Sequence, residues 1–311
     1  MQVINTIMVT GAGGYVGREL LRQLLEKTNC EIYALSSDTA AIMTNLHSSG
    51  AAERIRAFDR GSPDITGIPW EKVDILIHLA FARKQFPQSE LVESMSFSKK
   101  IFQLARDAKI PALINVSSQS VYGSAPGLHR EDSQPCPLDY YALAKCANEI
   151  ILDAVFSGYH NTRTTNIRLD SIAGNKNLLP TLVRQGIEDK QLKLMGGQQV
   201  FSLLDVRDAA SGLIALCATD TAKWRSAYNL GWNNRIYSLP EIAELVCGRL
   251  EKYGVKGIQV SLEEKDIKTY AGMDSTAFIQ DTGWTPCYDI TDIIDSVIAD
   301  YYAGKKTSQR I

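Results

Sequence analysis

The chain has 311 residues, 45% of them hydrophobic and 22% charged, and a formal net charge of -2. That balance fits a globular protein and lacks the basic surplus that a nucleic-acid footprint requires. No run of about 18 apolar residues occurs, so no membrane span is expected. The six cysteines form no C-x-x-C pair and none stands at metal-ligand spacing from a histidine, which fits free thiols in a reducing compartment and no metal site.

No basic, then apolar, leader precedes Thr6-Ile7-Met8-Val9, so a cytoplasmic protein is expected. Ile7 to Val9 reads as a strand, and Thr10-Gly11-Ala12-Gly13-Gly14-Tyr15-Val16-Gly17 leads from it into a helix over Tyr15 to Lys27. Gly11, Gly14 and Gly17 are spaced G-x-x-G-x-x-G. The first permits a tight turn, the second lets backbone approach a pyrophosphate, and the third lets helix pack on sheet. The helix N-terminus, with Tyr15 and Val16, then offers N–H groups to phosphate. A second strand over Glu31 to Leu35 ends at Ser36, where an acidic residue would bind the ribose of NAD and a cation would favour NADP. Ser36 is neither, and Asp38 beyond it suits a cap, so the cofactor reads as NAD or NADP, with NAD the nearer fit. Asp59 closes a third strand, Ile55 to Phe58, as a candidate adenine contact or as a turn residue.

Asp74 to Leu79 and Ala112 to Val116 are further apolar strands, and Leu91 to Ala108 and Tyr140 to Tyr159 are helices by their periodicity. Alternating strands and helices predict an α/β fold, a doubly wound parallel Rossmann sheet. Thr164 to Arg168 is a sixth strand. A loop with Gly174 and Asn175, a helix over Leu178 to Asp189 and a strand over Leu192 to Met195 follow, then a turn at Gly196-Gly197. Helix Val206 to Ala218, strand Ala227 to Leu230, a capping box of Ser238 with Glu241 opening a helix to Tyr253, and a helix from Asp289 to Tyr302 complete the chain before a polar, frayed tail, Lys305 to Ile311. The expected division is a dinucleotide-binding domain over 1–168, with returning segments near 203–231, and a smaller mixed α/β substrate-binding lobe over 169–202 and 232–311.

Tyr141 and Lys145 stand at i and i+4, on one face of their helix. A free phenol titrates near pH 10, too high for a base at neutral pH, and a neighbouring ammonium lowers that value. The pair suits reversible alcohol-to-ketone chemistry. Ser118, at the exit of the fifth strand, is positioned to hydrogen-bond the reacting oxygen beside Tyr141.

With these residues the chain resembles the extended short-chain dehydrogenase/reductases, the NAD-dependent epimerase/dehydratase family. The resemblance runs through Thr10 to Gly17, Asp74 to Ala80, Ser117 to Gly123, Tyr141 with Lys145, Arg168-Leu169, Asp205 to Asp208, Tyr228 to Gly231 and Gly283 to Pro286. It implies Ser118, Tyr141 and Lys145 as catalytic triad, Lys145 also holding the nicotinamide ribose, Leu79 and Ala80 beside the cofactor, and a homodimer built on the helices from Leu91 and Tyr140. Family dehydratases carry an Asp-Glu pair where this chain has Gln119 and Ser120, which disfavours dehydration and leaves both as substrate contacts with Ser118. Many relatives place a diphosphate-binding arginine where this chain has Phe201, with Arg184 or Arg235 as possible substitutes. The helix-entry motif is altered to Ser94-Met95-Ser96-Phe97-Ser98. The resemblance implies a sugar-nucleotide epimerase. The alternatives are a carbonyl reductase or sugar dehydrogenase on a non-nucleotide substrate, and a catalytically silent dinucleotide-sensing protein, against which the intact triad argues.

Overall fold

The computed structural model describes residues 4–46, 52–61, 63–173, 178–233, 236–267 and 269–308. Gly174, Asn175 and Arg235 lie outside them. The first half runs β1 (Thr6–Thr10), α1 (Tyr15–Lys27), β2 (Glu31–Ser36), α2 (Thr39–Leu46), β3 (Ile55–Asp59), β4 (Ile75–His78), α3 (Gln88–Asp107), β5 (Ala112–Ser118), α4 (Tyr140–Phe156) and β6 (Arg163–Leu169). The second half runs α5 (Leu178–Glu188), β7 (Gln191–Gly196), β8 (Val200–Ser202), α6 (Val206–Cys217), β9 (Ala227–Leu230), β10 (Ile236–Ser238), α7 (Leu239–Lys252), β11 (Gln259–Glu264), α8 (Thr276–Thr282) and α9 (Ile290–Ser308).

Seven parallel strands form one sheet in the order β3-β2-β1-β4-β5-β6-β9. This is the doubly wound Rossmann sheet expected from the sequence. Its strands are apolar on both faces because helices cover both. Alternate side chains divide accordingly: Ile7, Val9, Ile32, Ala34, Ile75 and Ile77 join Leu20, Leu24, Leu213 and Leu216 of α1 and α6. Met8, Tyr33, Leu35 and Leu76 join Ile101, Phe102, Leu152 and Phe156 of α3 and α4 on the other side. The order reverses at β1, whose neighbours are β2 and β4, so a cleft opens at the carboxyl ends of β1 and β4.

A separate core of Leu182, Leu192, Val246, Leu250, Ile294 and Ile298 joins α5, β7, α7 and α9. Ser238 and Glu241 form the expected capping box on α7. Phe278 of α8 and Trp284 pack instead with Tyr228 in the sheet's core. Strand β7 bears out the strand read over Leu192 to Met195, with alternating burial, whereas its parallel partner β11 is exposed throughout and the antiparallel pair β8–β10 is short, so these three left no period in the sequence. The last helix runs to Ser308, beyond the expected end at Tyr302 and into the start of the tail expected to be frayed. No helix among the described residues is long and apolar enough to cross a membrane.

Candidate active site

The glycine loop is built by close contact. Gly11 has φ +69°, and a Cβ there would stand 2.8 Å from the Ala80 nitrogen. A Cβ at Gly17 would collide with the Gly11 carbonyl. Gly14 is the N-cap of α1 and brings no side chain to its free N–H groups. Those donors and the adjacent cavity suit a dinucleotide pyrophosphate. Gly11, Gly14, Tyr15, Val16, Gly17 and Leu79 line the cavity, whereas Ser36, Asp59 and Ala80 do not. Ser36 is buried beneath the loop: its Oγ lies 2.6 Å from where a Cβ on Gly13 would stand. Asp38 accepts from Ala41 N at 2.9 Å, at the start of α2, and Asp59 accepts from Gly61 N at 2.8 Å in a turn.

The cavity has a volume of about 610 Å³, ordinary for a ligand site. Ser118, Tyr141 and Lys145 all line it. Ser118 ends β5, and Asp139 caps α4 by accepting from Ala142 N at 2.8 Å, which sets Tyr141 in the first turn. Burial pushes the Tyr141 phenol up to about 12, against a hydrogen bond with Ser118 that lowers it. Burial likewise pulls Lys145 down to about 7, against the attraction of Glu149. The Lys145 ammonium donates to the Val116 carbonyl at 2.9 Å and lies 4.0 Å from the centre of the Phe81 ring, but 6.0 Å from that of Tyr141. The lowering of the phenol by the lysine, expected from their spacing, is therefore not expressed in this arrangement. Both groups are desolvated, and burial works against the charged form of each.

Ser120 donates from its backbone to Ser118 Oγ at 3.2 Å, and the two hydroxyls are 3.0 Å apart. Gln119 Nε2 donates to Ser171 Oγ at 2.7 Å, tying the exits of β5 and β6 together. Phe201, on β8 opposite Tyr237, stands on the far wall with Thr269, Tyr270 and Ala271. Arg184 is exposed on α5 and does not reach the cavity. The altered helix-entry motif still fastens the β4 exit: Ser94 Oγ accepts from Ala82 N at 2.9 Å, and Ser98 Oγ bonds His78 Nε2 at 2.8 Å.

Sequence reasoning missed Phe81, Arg83, Lys84 and Asp170, all of which line the cavity. Lys84 pairs with Asp139 at 2.7 Å. Asp170 is fully buried, and burial pushes it up to about 6 against hydrogen bonds from Ser202, Ser171 N and Trp232 N. The available signals were position alone, Phe81 directly after Leu79-Ala80 and Asp170 directly after Arg168-Leu169.

Residues 7–231 match the model of the NAD dependent epimerase/dehydratase family. The chain belongs to this family. Across 321 residues it is 26% identical to a dTDP-glucose 4,6-dehydratase of Streptomyces griseus, covering 95% of this chain and 94% of that protein. It is 28% identical over 159 residues to a UDP-glucose 4-epimerase of Mycolicibacterium smegmatis, covering 47% of this chain and 50% of that one. Among solved structures, a UDP-glucose-4-epimerase from Stenotrophomonas maltophila with bound NAD and formylated UDP-arabinopyranose superposes with a TM-score of 0.85 at 19% identity, over 98% of this chain and all 100% of that one. A UDP-glucuronic acid 4-epimerase from Bacillus cereus in complex with NAD gives 0.78 at 22% identity, over 96% and 99%. These family members share the fold, and the family's enzymes are of the extended short-chain dehydrogenase/reductase type.

Proposed function

We propose that this protein is an NAD-dependent sugar-nucleotide epimerase acting at a substrate carbon that bears a hydroxyl group. The observation that carries the reading is the convergence of Ser118, Tyr141 and Lys145 on the cavity that the glycine loop also lines. NAD accompanies several solved relatives, which supports NAD over NADP. Nicotinamide, when bound, supplies the hydride acceptor and donor. The chain's residues do the rest. Ser118 orients the substrate oxygen, and Tyr141 Oη takes and returns its proton. For the phenol to serve as a base near neutral pH its anion needs a cation, and Lys145, one turn along the same face, is the nearest in sequence. An epimerase lets the keto sugar turn within the site before the proton is returned. Gln119 and Ser120 cannot act as an acid and base pair, so water elimination is not part of the proposal.

One observation favours a second reading, a reductase or sugar dehydrogenase on a substrate without a diphosphate. Among the described residues, the wall from Leu169 onward contributes no lysine or arginine to the cavity. The proposal extends to a division into a dinucleotide lobe (1–168 with 203–231) and a substrate lobe, amended by the packing of Phe278 and Trp284 on the sheet's core. It also extends to a homodimer through α3 and α4, on which Val92, Tyr140, Leu143 and Ile150 are exposed.

Mass spectrometry of small molecules retained by the purified protein tests the choice. An epimerase retains NAD and interconverts UDP- or dTDP-sugars with no net absorbance change at the nicotinamide band, and Tyr141→Phe lowers that rate about 100-fold or more. Net oxidation or reduction of free cofactor with substrate would give the second reading first place. Activity persisting in Tyr141→Phe would overturn both.

A further inference from the structure

Between the glycine loop and α4, one aromatic side chain touches both proposed catalytic groups. Phe81 follows β4 on a backbone held at several points. Leu79 N donates to Thr10 O at 3.1 Å, Ala80 N to Thr10 Oγ1 at 3.4 Å, and Ala82 N to Ser94 Oγ at 2.9 Å. From there its ring faces the Lys145 ammonium at 4.0 Å and meets the Tyr141 ring edge-on, centres 6.3 Å apart at 79°. Lys145 is thus held between a ring face and the Val116 carbonyl.

We propose that Phe81 is a positioning residue for the reaction, its ring face fixing the Lys145 ammonium and favouring its charged form where the side chain is buried from solvent. The inference rests on Tyr141 and Lys145 being the catalytic pair. A cation within about 6 Å of a ring centroid is attracted by the ring's quadrupole, most strongly where water is excluded. A buried ammonium otherwise loses its hydration and tends to shed its proton. The ionisable groups around it offer limited help. Glu149, on the same helix, is already bound by Arg168 of β6. His78 of β4 is held neutral, its imidazole pulled down to about 3 by burial and by Lys145 itself. Tyr141 is neutral over the same pH range. The ring face at 4.0 Å, together with the Val116 carbonyl at 2.9 Å, then stabilises positive charge without a second ionisation. A ring serving only to fill space would be replaceable by leucine, and this distinction makes the proposal testable.

The experiment is a pH titration of Lys145 by NMR in protein labelled with 13C at lysine Cε, the signal assigned by its loss in Lys145→Arg, for wild type, Phe81→Leu, Phe81→Met and Phe81→Tyr. The expected result is a midpoint lowered by about one pH unit in the leucine and methionine variants and unchanged in the tyrosine variant, the order of shift that a desolvated ring face supplies. In the holoenzyme the leucine and methionine variants move the alkaline fall of kcat/KM to lower pH by the same amount. Having both leucine and methionine keeps the test usable if one of them fails to fold. Equal midpoints in all four proteins would overturn the role of Phe81. If Tyr141→Phe is inactive at the same time, the catalytic pair stands and only the Phe81 inference falls. If Tyr141→Phe is active, the underlying reading has failed instead.

Discussion

Arg168 and Glu149 meet in a buried ion pair, 2.8 Å apart, one helical turn beyond Lys145. Arg168 also donates to the Tyr122 hydroxyl at 2.8 Å and to the Glu131 carbonyl at 3.0 Å, so one guanidinium joins β6, α4 and the loop after β5. Removing one partner leaves a buried charge unpaired, and Arg168→Met should cost about 3–5 kcal/mol of stability. Replacing both, as Arg168→Met with Glu149→Met, should cost less than the single change. Urea unfolding of the wild type and the two variants checks this, and a single change costing no more than an ordinary surface substitution would show that the pair is solvated.

Cofactor choice gives a second prediction, in which packing alters what the sequence recommends. By position, Ser36→Asp adds a ribose acceptor and favours NAD. In the fold Ser36 Oγ lies against Gly13 and accepts from Asp38 N at 3.1 Å. A larger charged side chain must push the glycine loop outward. Ser36→Asp is therefore expected to weaken NAD and NADP alike, measured by titrating both. A loss confined to NADP would place the new carboxylate at the ribose and remove the packing argument.

The wall at Phe201 gives a third. If the substrate carries a diphosphate, that charge must meet a cation, because burying it unpaired would cost several kcal/mol or more. Phe201→Arg should strengthen, or at least preserve, the binding of UDP or dTDP in calorimetry. Tight binding by the wild type that vanishes in Phe201→Arg would mean that the ring itself stacks on the ligand. No nucleotide binding by either protein would favour the reductase reading.

Asp170 supplies a pH dependence. Its carboxyl is raised in the folded chain from 3.8 to about 6, first by burial. The unfolded chain therefore releases this proton at lower pH than the folded one. The contribution to stability is fully present below about pH 4 and is lost as pH rises through 6. Across that window the loss is on the order of 3 kcal/mol. Asp170→Asn cannot titrate, so its melting temperature relative to wild type should rise from pH 4 to pH 7. A difference that stays flat across that range would show that Asp170 is ionised throughout.

Much of this protein was legible in its sequence because the signals are local. The apolar runs of β1, β4 and β5 fix buried parallel strands, since only a sheet covered on both faces tolerates them. Gly11, Gly14 and Gly17 announce the loop, because at Gly11 and Gly17 a Cβ would meet backbone too closely. Tyr141 and Lys145 declare a shared face through helical spacing alone. The ends of α1, β9 and α7 were likewise set by residues within a turn of them. What the tertiary structure decided involves residues far apart in the chain. Phe81 faces Lys145 because β4 and α4 lie across one cavity, and no spacing in the sequence encodes a contact between residues 64 positions apart. Ser36 lies under Gly13, Asp170 is closed in by Ser202 and Trp232, and α8 returns to the first core, each through packing between distant segments. The ionisation of Tyr141 and Lys145 follows the same division. Their spacing states that they can interact, but burial, which depends on everything folded around them, sets which form each prefers.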